Sequence, residues 1–465
     1  MQFDSYTYAL FLLLVFFVYW ALQRRLKWQN LFLLAASYVF YGWWDWRMLG
    51  LILLTTLSTW GSALLIRGDR SSHDKLCATA NIVLNVGILA VFKYLNFFRD
   101  SLVDFLNLFG ITPDWPTLHI LLPVGISFYT FQAISYTIDV FRSEIKPTRD
   151  AVAFGVFIAF FPQLVAGPIE RASNLLPQFL RKKEFDYGMA VVGMRQILWG
   201  LAKKIIVADT VGYYVDQLLY NPYYYAAPSM IWAGILFAVQ IYADFSGYSD
   251  IAIGSAKLLN IKLRANFRYP FFSRNMKELW QRWHISLMTW FRHYIYFPLG
   301  GSRRGKWQTV INIMIVFALS GLWHGADWTF VIWGTVNGLL LLPFVFLPRQ
   351  TLSEHASLRD IPRCLLTFFL FAMVFLAFRA NGITHLGEIC DVIVNGSWRQ
   401  RPVFGQPLFC MVPFFLIEWL GRKQEFPLER LPFPTVVRWL IYWSLLAGIS
   451  ILSLDRNMQF IYFQF

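Results

Sequence analysis

The amino-acid sequence predicts an all-α polytopic membrane protein with roughly 10–13 membrane helices, some of them re-entrant or interfacial. Of its 465 residues, 57% are hydrophobic and only 15% are charged, whereas a soluble domain carries about 25% charged residues. A soluble protein of this length could not enclose so much apolar surface, and a disordered chain would be poor in aromatic and aliphatic residues. An ordinary soluble enzyme and a disordered protein are therefore excluded.

Hydropathy along the chain predicts the individual helices. A membrane helix needs about 20 mostly apolar residues, and clear candidates are residues 8–23, 48–66, 78–95, 118–141, 151–166, 230–259, 308–323, 326–348, 361–379 and 435–454. Shorter or more polar candidates are residues 30–43, 188–208 and 404–420. The polar stretches between them are too short to build a soluble domain, so residues 1–465 are predicted to form a single integral-membrane domain.

The charge distribution predicts an orientation for the first helix. The chain carries 41 Lys and Arg against 27 Asp and Glu, a net charge of +14. Loops on the cytoplasmic side are rich in Lys and Arg, and Arg24, Arg25 and Lys27 follow the first apolar span, so the N-terminus is predicted to be extracytoplasmic. A second interpretation of the excess charge is attraction of a phosphate-bearing ligand. Nucleic acid is not an expected partner, because apolar spans cut the basic residues into short groups.

Residues 262–306 are the most basic part of the chain, with ten Lys and Arg and a single acid, Glu278. Aromatic residues recur among them, and the spacing over residues 280–294 predicts a helix. One face of this helix would carry Trp280, Trp283, His284, Leu287, Trp290, Phe291 and Tyr294. A basic helix with an aromatic face is typical of an interfacial anchor. That interpretation leaves His284 unexplained, because an imidazole on such a face needs a partner or a polar cavity.

His324 lies between two apolar spans, flanked by Gly321 and Gly325. An ionisable side chain at membrane depth is costly and is a functional candidate, and the glycines would let another chain or a substrate approach closely. An imidazole titrates near neutral pH and could accept a hydroxyl proton as general base. The alternative is a helix-end histidine hydrogen-bonded to the backbone, and spacing alone does not decide between the two.

Residues 242–250 place two acids, two serines and two tyrosines in the otherwise apolar stretch 230–259. Such residues are costly in hydrocarbon and indicate either a polar pocket or hydrogen bonds between helices; the presence of both Asp244 and Asp250 favours the pocket. No metal site is predicted, because His284 and His324 lack nearby supporting ligands and the four cysteines contain no CxxC pair.

Seven motifs, in order, resemble the membrane-bound O-acyltransferase (MBOAT) family, and most closely its bacterial polysaccharide branch, of which an alginate O-acetyltransferase membrane subunit is typical. They are LPVGISFYTFQ at 122–132, IDVFR at 138–142, FPQLVAGPI at 161–169, DFSGYSD at 244–250, WQRWHISL at 280–287, YFPLGG at 296–301 and GLWHG at 321–325. Several motifs in one order are far more specific than any one of them. The resemblance implies a motif-bearing catalytic core over about residues 118–330.

The resemblance also implies a mechanism. His324 matches the family's catalytic histidine and would act as general base on an acceptor hydroxyl. His284 matches a second histidine, which would orient the donor or hydrogen-bond the thioester carbonyl as charge develops there. Both would lie within a helical bundle around a central reaction tunnel. The residues expected to line this tunnel are Gln163, Asp244, Ser246, Tyr248, Trp280, Arg282, Trp283 and Trp323.

The substrates and partners implied are those of the polysaccharide branch. The donor would be acetyl-CoA or another acyl thioester from the cytoplasm, and no cofactor would be bound. The protein would lie in the bacterial inner membrane, and the acyl group would end on an extracytoplasmic polysaccharide. The implied partners are an esterase-like acetyltransferase outside the membrane and a polysaccharide synthesis or export complex.

Two alternative functions stay open. The motifs around both histidines also fit transfer of D-alanine from a carrier protein to a teichoic acid. A polysaccharide or lipid transporter would suit the polar residues at 242–250, although it leaves the histidines unexplained and the chain lacks the two similar halves that favour a transporter.

Overall fold

The computed structural model describes residues 1–113, 115, 121–165, 167–348, 353–400, 402, 405, 407–453 and 460–461. Within these ranges all regular structure is helical, which confirms the predicted all-α class. The chain forms two compact units, residues 1–187 with 259–263 and residues 188–258 with 264–465. A single integral-membrane domain over the whole chain stays a prediction.

Seven helical segments of the described residues are long and apolar enough to cross a membrane. They are Trp46–Leu65, Ser72–Asn107, Ala227–Leu258, Lys306–His324, Trp328–Phe346, Leu358–Arg379 and Thr435–Ser453. Three shorter helical segments, Tyr6–Ala21, Ala151–Leu164 and Pro407–Gly421, are also apolar. The seven long and three shorter segments together equal the lower end of the predicted 10–13 membrane helices. The chain is a multi-pass membrane protein.

The first unit contains nine α-helices among its described residues. They are α1 (Tyr6–Ala21), α2 (Leu26–Gly42), α3 (Leu49–Leu65), α4 (Ser72–Leu89), α5 (Leu95–Asn107), α6 (Ile126–Phe141), α7 (Ala151–Ala159), α8 (Phe161–Leu164) and α9 (Ala172–Phe179). A π-helical segment, Ala90–Tyr94, joins α4 to α5. Helices α3, α4 and α6 pack on one another, and Asn81 of α4 donates a hydrogen bond to Thr137 of α6 at 2.7 Å.

The predicted helical span over residues 151–166 is present as Ala151–Leu164, but its helix is interrupted at Phe160, between α7 and α8. The Phe161 amide donates to the Ser37 hydroxyl at 3.2 Å instead of continuing the helical ladder. The Phe157 carbonyl, which that amide would have used, accepts from the side-chain amides of Gln163 at 3.2 Å and Gln132 at 3.4 Å. Tertiary hydrogen bonds thus replace a helical one, which an apolar sequence pattern does not reveal.

The predicted helix over residues 118–141 begins only at Ile126, and residues 118–120 lie outside the described residues. Gly125 precedes it with φ +74°, and a Cβ there would lie 2.6 Å from the Leu164 carbonyl oxygen. Both the left-handed backbone and the close approach require glycine at this position.

The second unit contains the remaining α-helices of the described residues. They are α10 (Tyr187–Leu201), α11 (Asp209–Tyr220), α12 (Ala227–Leu258), α13 (Met276–Arg282), α14 (Ile285–Phe291), α15 (Lys306–His324), α16 (Trp328–Leu341), α17 (Pro343–Phe346), α18 (Ile361–Arg379), α19 (Ile383–Asn395), α20 (Pro407–Gly421) and α21 (Thr435–Ser453). Helix α12 is the core of this unit, and 83% of its most apolar 18-residue stretch is buried. It packs against α11, α18, α19 and a π-helical segment, Ala202–Ala208, that joins α10 to α11.

Helices α15 and α16 form a tight antiparallel pair that ends at His324. Gly321 of α15 faces Gly334 of α16, and a Cβ on either would overlap a backbone carbonyl of the other helix, that of Phe330 or Phe317. Small residues let membrane helices approach closely enough for extensive van der Waals contact. The glycines therefore fix the position of the helix end that carries His324.

We expect Gly321→Ala to destabilise the protein by about 1–3 kcal/mol, because a methyl group forced against backbone cannot be accommodated by side-chain rearrangement. The matched control is Gly387→Ala in α19, where a Cβ would meet nothing within 4 Å and the better helix propensity of alanine applies. Thermal unfolding in detergent measures both. Equal unfolding midpoints for the two variants would contradict the close packing.

Candidate functional site

His324 is the last residue of α15, and only 4% of it is exposed. Its ring lies edge-on to Trp333 and Phe378, with centroid separations of 5.1 and 5.4 Å, and 4.9 Å from the ring of Trp323. The helix end and this aromatic enclosure hold the imidazole inside the second unit. It is therefore neither a lipid-facing nor a loop histidine.

His284 interrupts the predicted helix over residues 280–294, and that prediction is wrong. Helix α13 ends at Arg282, α14 begins at Ile285, and His284 between them has φ +42° and ψ +52°. The backbone on both sides is held by the neighbouring segment: the Arg282 carbonyl accepts from the Arg268 amide at 3.0 Å, and the Ile285 amide donates to the Asn266 carbonyl at 2.9 Å. Left-handed backbone at a histidine costs about 1–3 kcal/mol and is typical of functional sites.

The aromatic face of residues 280–294 is buried in protein, so the interfacial-anchor interpretation is also wrong. Trp280 is 6%, Trp283 1% and Trp290 7% exposed. Trp283 packs on Phe371 with a centroid separation of 4.8 Å, and Trp280 packs on Phe317 at 5.0 Å. The aromatic spacing thus marks a packed core.

The His284 ring is held through one of its nitrogens. Nδ1 lies 3.3 Å from the Asn266 side-chain oxygen, which also accepts from the Ser286 hydroxyl at 2.6 Å. The Asn266 amide nitrogen lies 3.3 Å from the Ser249 hydroxyl and donates to it. This network assigns the proton of the neutral ring to Nδ1.

The other ring nitrogen of His284, Nε2, has an unprotonated lone pair and lies in the protein interior. Nε2 is buried and has no hydrogen-bond partner among the described residues. Burial lowers the pKa of His284 to about 3, so the ring is neutral over the physiological range. A buried polar atom without a partner costs about 1–3 kcal/mol, and its retention is typical of a group that meets a ligand.

The two histidines lie side by side although 40 residues separate them in the chain. Their ring centroids are 6.3 Å apart, and Trp323 contacts both rings, with centroids 6.0 Å from His284 and 4.9 Å from His324. Phe245 of α12 lies edge-on to His284 at 4.8 Å. This arrangement places two imidazoles in one water-poor, aromatic environment, where a ring nitrogen can accept a hydrogen bond from a hydroxyl group.

Two buried lysines of the π-helical segment neutralise the acids of residues 242–250. Lys203 lies 2.6 Å from Asp250 and donates to the Ser246 hydroxyl at 2.8 Å. Lys204 lies 2.7 Å from Asp209 and 3.0 Å from Asp244. Of the two interpretations left open above, inter-helix bonding accounts for these acids, because they form ion pairs between α12 and the segment packed against it.

The remaining predicted tunnel residues fall into different environments. Tyr248 of α12 lies against Lys204, whose ammonium is 5.7 Å from the ring centroid. Arg282 donates to Glu278 at 2.8 Å and to the Glu354 carbonyl at 2.6 Å. Gln163 belongs to the first unit, where it holds the break between α7 and α8. Among the predicted lining residues, Trp323 has ring contacts with both histidines, and a continuous tunnel stays a prediction.

Sequence reasoning missed Asn266, Lys203 and Lys204. Two adjacent lysines inside the candidate helix 188–208 are costly at membrane depth, and that signal could have identified acidic partners. Asn266 lies in a polar loop, and its contact with His284 spans 18 residues. A lone asparagine in such a loop gives no sequence signal.

Residues 141–384 match the model of the MBOAT, membrane-bound O-acyltransferase family, a range that includes both histidines. A protein named "Probable alginate O-acetylase AlgI" from Azotobacter vinelandii is 41% identical over 71% of this chain and 66% of its own length. A protein of the same name from Pseudomonas putida is 33% identical over 100% of both chains. A "Peptidoglycan O-acetyltransferase" from Helicobacter pylori is 32% identical over 79% of this chain and 74% of its own length.

Proposed function

Because the chain belongs to the membrane-bound O-acyltransferase family and is an acyltransferase, we propose that it moves an acetyl group from a cytoplasmic thioester, acetyl-CoA, to a hydroxyl acceptor for O-acetylation of an extracytoplasmic polysaccharide. The observation that carries this proposal is the pair of buried imidazoles whose ring centroids are 6.3 Å apart. The relatives named for alginate and peptidoglycan acetylation support a polymer of sugars as the final acceptor.

In the proposed reaction His324 removes the proton of the acceptor hydroxyl. The hydroxyl oxygen attacks the thioester carbonyl carbon, the C–S bond breaks, and the CoA thiolate takes up the proton that His324 received. The products are the acetyl ester and CoA with its thiol restored. General base catalysis of this kind contributes about 10²–10⁴-fold to a rate.

His284 is proposed to orient the acceptor through Nε2. With its proton on Nδ1, the ring has a lone pair at Nε2. It can therefore accept a hydrogen bond from a second hydroxyl group of the acceptor substrate. Hydrogen-bonding the thioester carbonyl would instead require a proton at Nε2, which the contact with Asn266 disfavours. Orientation of the acceptor therefore fits the described contacts better than stabilisation of the carbonyl oxygen.

The setting of the reaction follows from the same proposal. The protein would lie in a bacterial inner membrane with its N-terminus outside the cytoplasm. An extracytoplasmic esterase-like acetyltransferase would receive the acyl group, and a polysaccharide synthesis or export complex would supply the polymer. Positive charge on exposed residues such as Arg268 and Lys277 would attract the CoA phosphates.

The test is transfer of radiolabelled acetyl from acetyl-CoA by the purified protein in lipid nanodiscs. We expect release of free CoA that depends on an added oligosaccharide or esterase-like acceptor. Parallel reactions offer propionyl-CoA and a D-alanyl carrier protein as donors. Use of the D-alanyl donor alone would favour teichoic acid alanylation, and movement of polysaccharide without thioester cleavage would favour a transporter.

We expect Asn266→Ala to lower the transfer rate by about tenfold or more, because removal of the group that fixes a histidine tautomer misplaces its proton. Ser286→Ala, which removes the other donor to the same oxygen, should cause a smaller loss. Asn266→Asp keeps an acceptor facing Nδ1 and should retain more activity than Asn266→Ala. If the aspartate variant were the less active of the two while equally folded, the assigned tautomer would be wrong.

A further inference from the structure

Residues 460 and 461 lie inside the second unit, although they follow a long apolar helix by only a few residues. Phe460 is 0% and Ile461 2% exposed. Both contact α12, more than 200 residues earlier in the chain.

The segment is attached to α12 by a hydrogen bond from its backbone. The Ile461 amide donates to Asp244 at 2.8 Å, and the other carboxylate oxygen of Asp244 lies 3.0 Å from the Lys204 ammonium. A hydrogen bond to a charged group is stronger than a neutral one. The carboxylate is itself held in place by Lys204, so this attachment is directional as well as strong.

Phe460 then extends an aromatic series that ends at His284. Its ring packs on that of Tyr248 at an interplanar angle of 34° with a centroid separation of 4.0 Å, and its centroid lies 6.2 Å from that of Phe245. Phe245 in turn lies edge-on to His284 at 4.8 Å. The His284 ring thus contacts Asn266 through Nδ1 and Phe245 edge-on, and the Phe460 ring contacts Phe245 in turn.

We infer that Phe460 and Ile461 are positioning residues for His284: the Ile461 amide fixes the segment on Asp244, and the Phe460 ring holds Phe245 against the imidazole. This inference rests on the proposed acyl transfer. Closely packed interiors transmit displacements, and a misplacement of about 1 Å in a reacting geometry can cost about 10²-fold in rate.

The test uses a matched pair at position 461 in the full chain. Ile461→Pro lacks the amide hydrogen that Asp244 accepts, whereas Ile461→Ala keeps it and loses only side-chain packing. We expect Ile461→Pro to lower kcat for acetyl transfer at least about tenfold with the KM for acetyl-CoA unchanged, and Ile461→Ala to stay within about threefold of wild type. A residue that only stabilised the fold would lower the amount of folded protein without lowering kcat per folded molecule.

A second pair at position 460 keeps the inference testable if Ile461→Pro does not fold. Phe460→Ala should lower kcat about tenfold or more, and Phe460→Tyr, which retains a ring against Phe245, should restore most of it. Size-exclusion chromatography and thermal unfolding report the folded fraction of every variant.

The outcomes separate this inference from the proposed function. Wild-type protein without thioester cleavage or acetyl transfer would refute the proposed function itself. Active wild type with Ile461→Pro equal to Ile461→Ala, or with folded Phe460→Ala equal to wild type, would refute the positioning role alone.

Discussion

His324→Ala is expected to abolish acetyl transfer, lowering kcat by at least about 10²–10⁴-fold, because it removes the group proposed to take the acceptor proton. The imidazole lies among Trp323, Trp333 and Phe378, where no water-exposed base can replace it readily. The measurement is release of free CoA by purified protein under saturating donor and acceptor. The KM for acetyl-CoA should change little, since His324 acts on the acceptor.

The controls separate lost chemistry from lost folding. His324→Gln retains much of the side-chain volume and a hydrogen-bonding end, and should be as inactive as the alanine variant while unfolding near the wild-type temperature. His73→Ala changes an exposed histidine of the first unit and should retain wild-type activity. A folded His324→Gln protein with substantial activity would rule out His324 as the general base.

Lys204→Met is expected to destabilise the protein by about 3–5 kcal/mol, the cost of removing one partner from a buried ion-pair network. The Lys204 side chain is 1% exposed and bridges Asp209 and Asp244 at 2.7 and 3.0 Å. Without its ammonium, both buried carboxylates would lose an ion-pair partner. The thermal unfolding midpoint in detergent should fall sharply, or folded protein should not be recovered.

Two further variants test whether charge is the cause. Lys257→Met removes a lysine paired at 3.1 Å with Glu425, whose side chain is 65% exposed, and should cost less than about 1 kcal/mol. Lys204→Met combined with Asp209→Asn removes one of the two carboxylate charges and should recover part of the lost stability. A double variant no more stable than Lys204→Met would indicate that packing, and not charge, is what Lys204 supplies.

Much of the fold could be predicted from the sequence because hydropathy is a local property. A run of apolar residues long enough to span a membrane must form a helix there, since the backbone finds no other hydrogen-bond partners. The helices at residues 227–258, 306–324 and 361–379 lie within a few residues of their predicted positions. His324 could be identified as a functional candidate from local sequence too, because an imidazole at the end of an apolar span is costly wherever the rest of the chain lies.

The break at His284 could not be predicted, because the residues that cause it are distant in sequence. The spacing over residues 280–294 is helical, and nothing local forbids a helix. The hydrogen bonds from Arg268 to Arg282 and from Ile285 to Asn266 end one helix and start another. Only the folded chain brings these groups together.

The sequence alone determined that this protein is a helical membrane protein with the motifs of an acyltransferase and a histidine at the end of a buried span. The tertiary structure decided that His284 lies beside His324, that Lys203 and Lys204 pair with the acids of α12, and that Phe460 and Ile461 contact the same helix. The physical reason is the difference in sequence separation over which the two kinds of interaction act. Transfer from water to lipid acts on each residue where it stands, whereas an ion pair, a hydrogen bond or a ring contact requires two groups that the sequence places up to 217 residues apart.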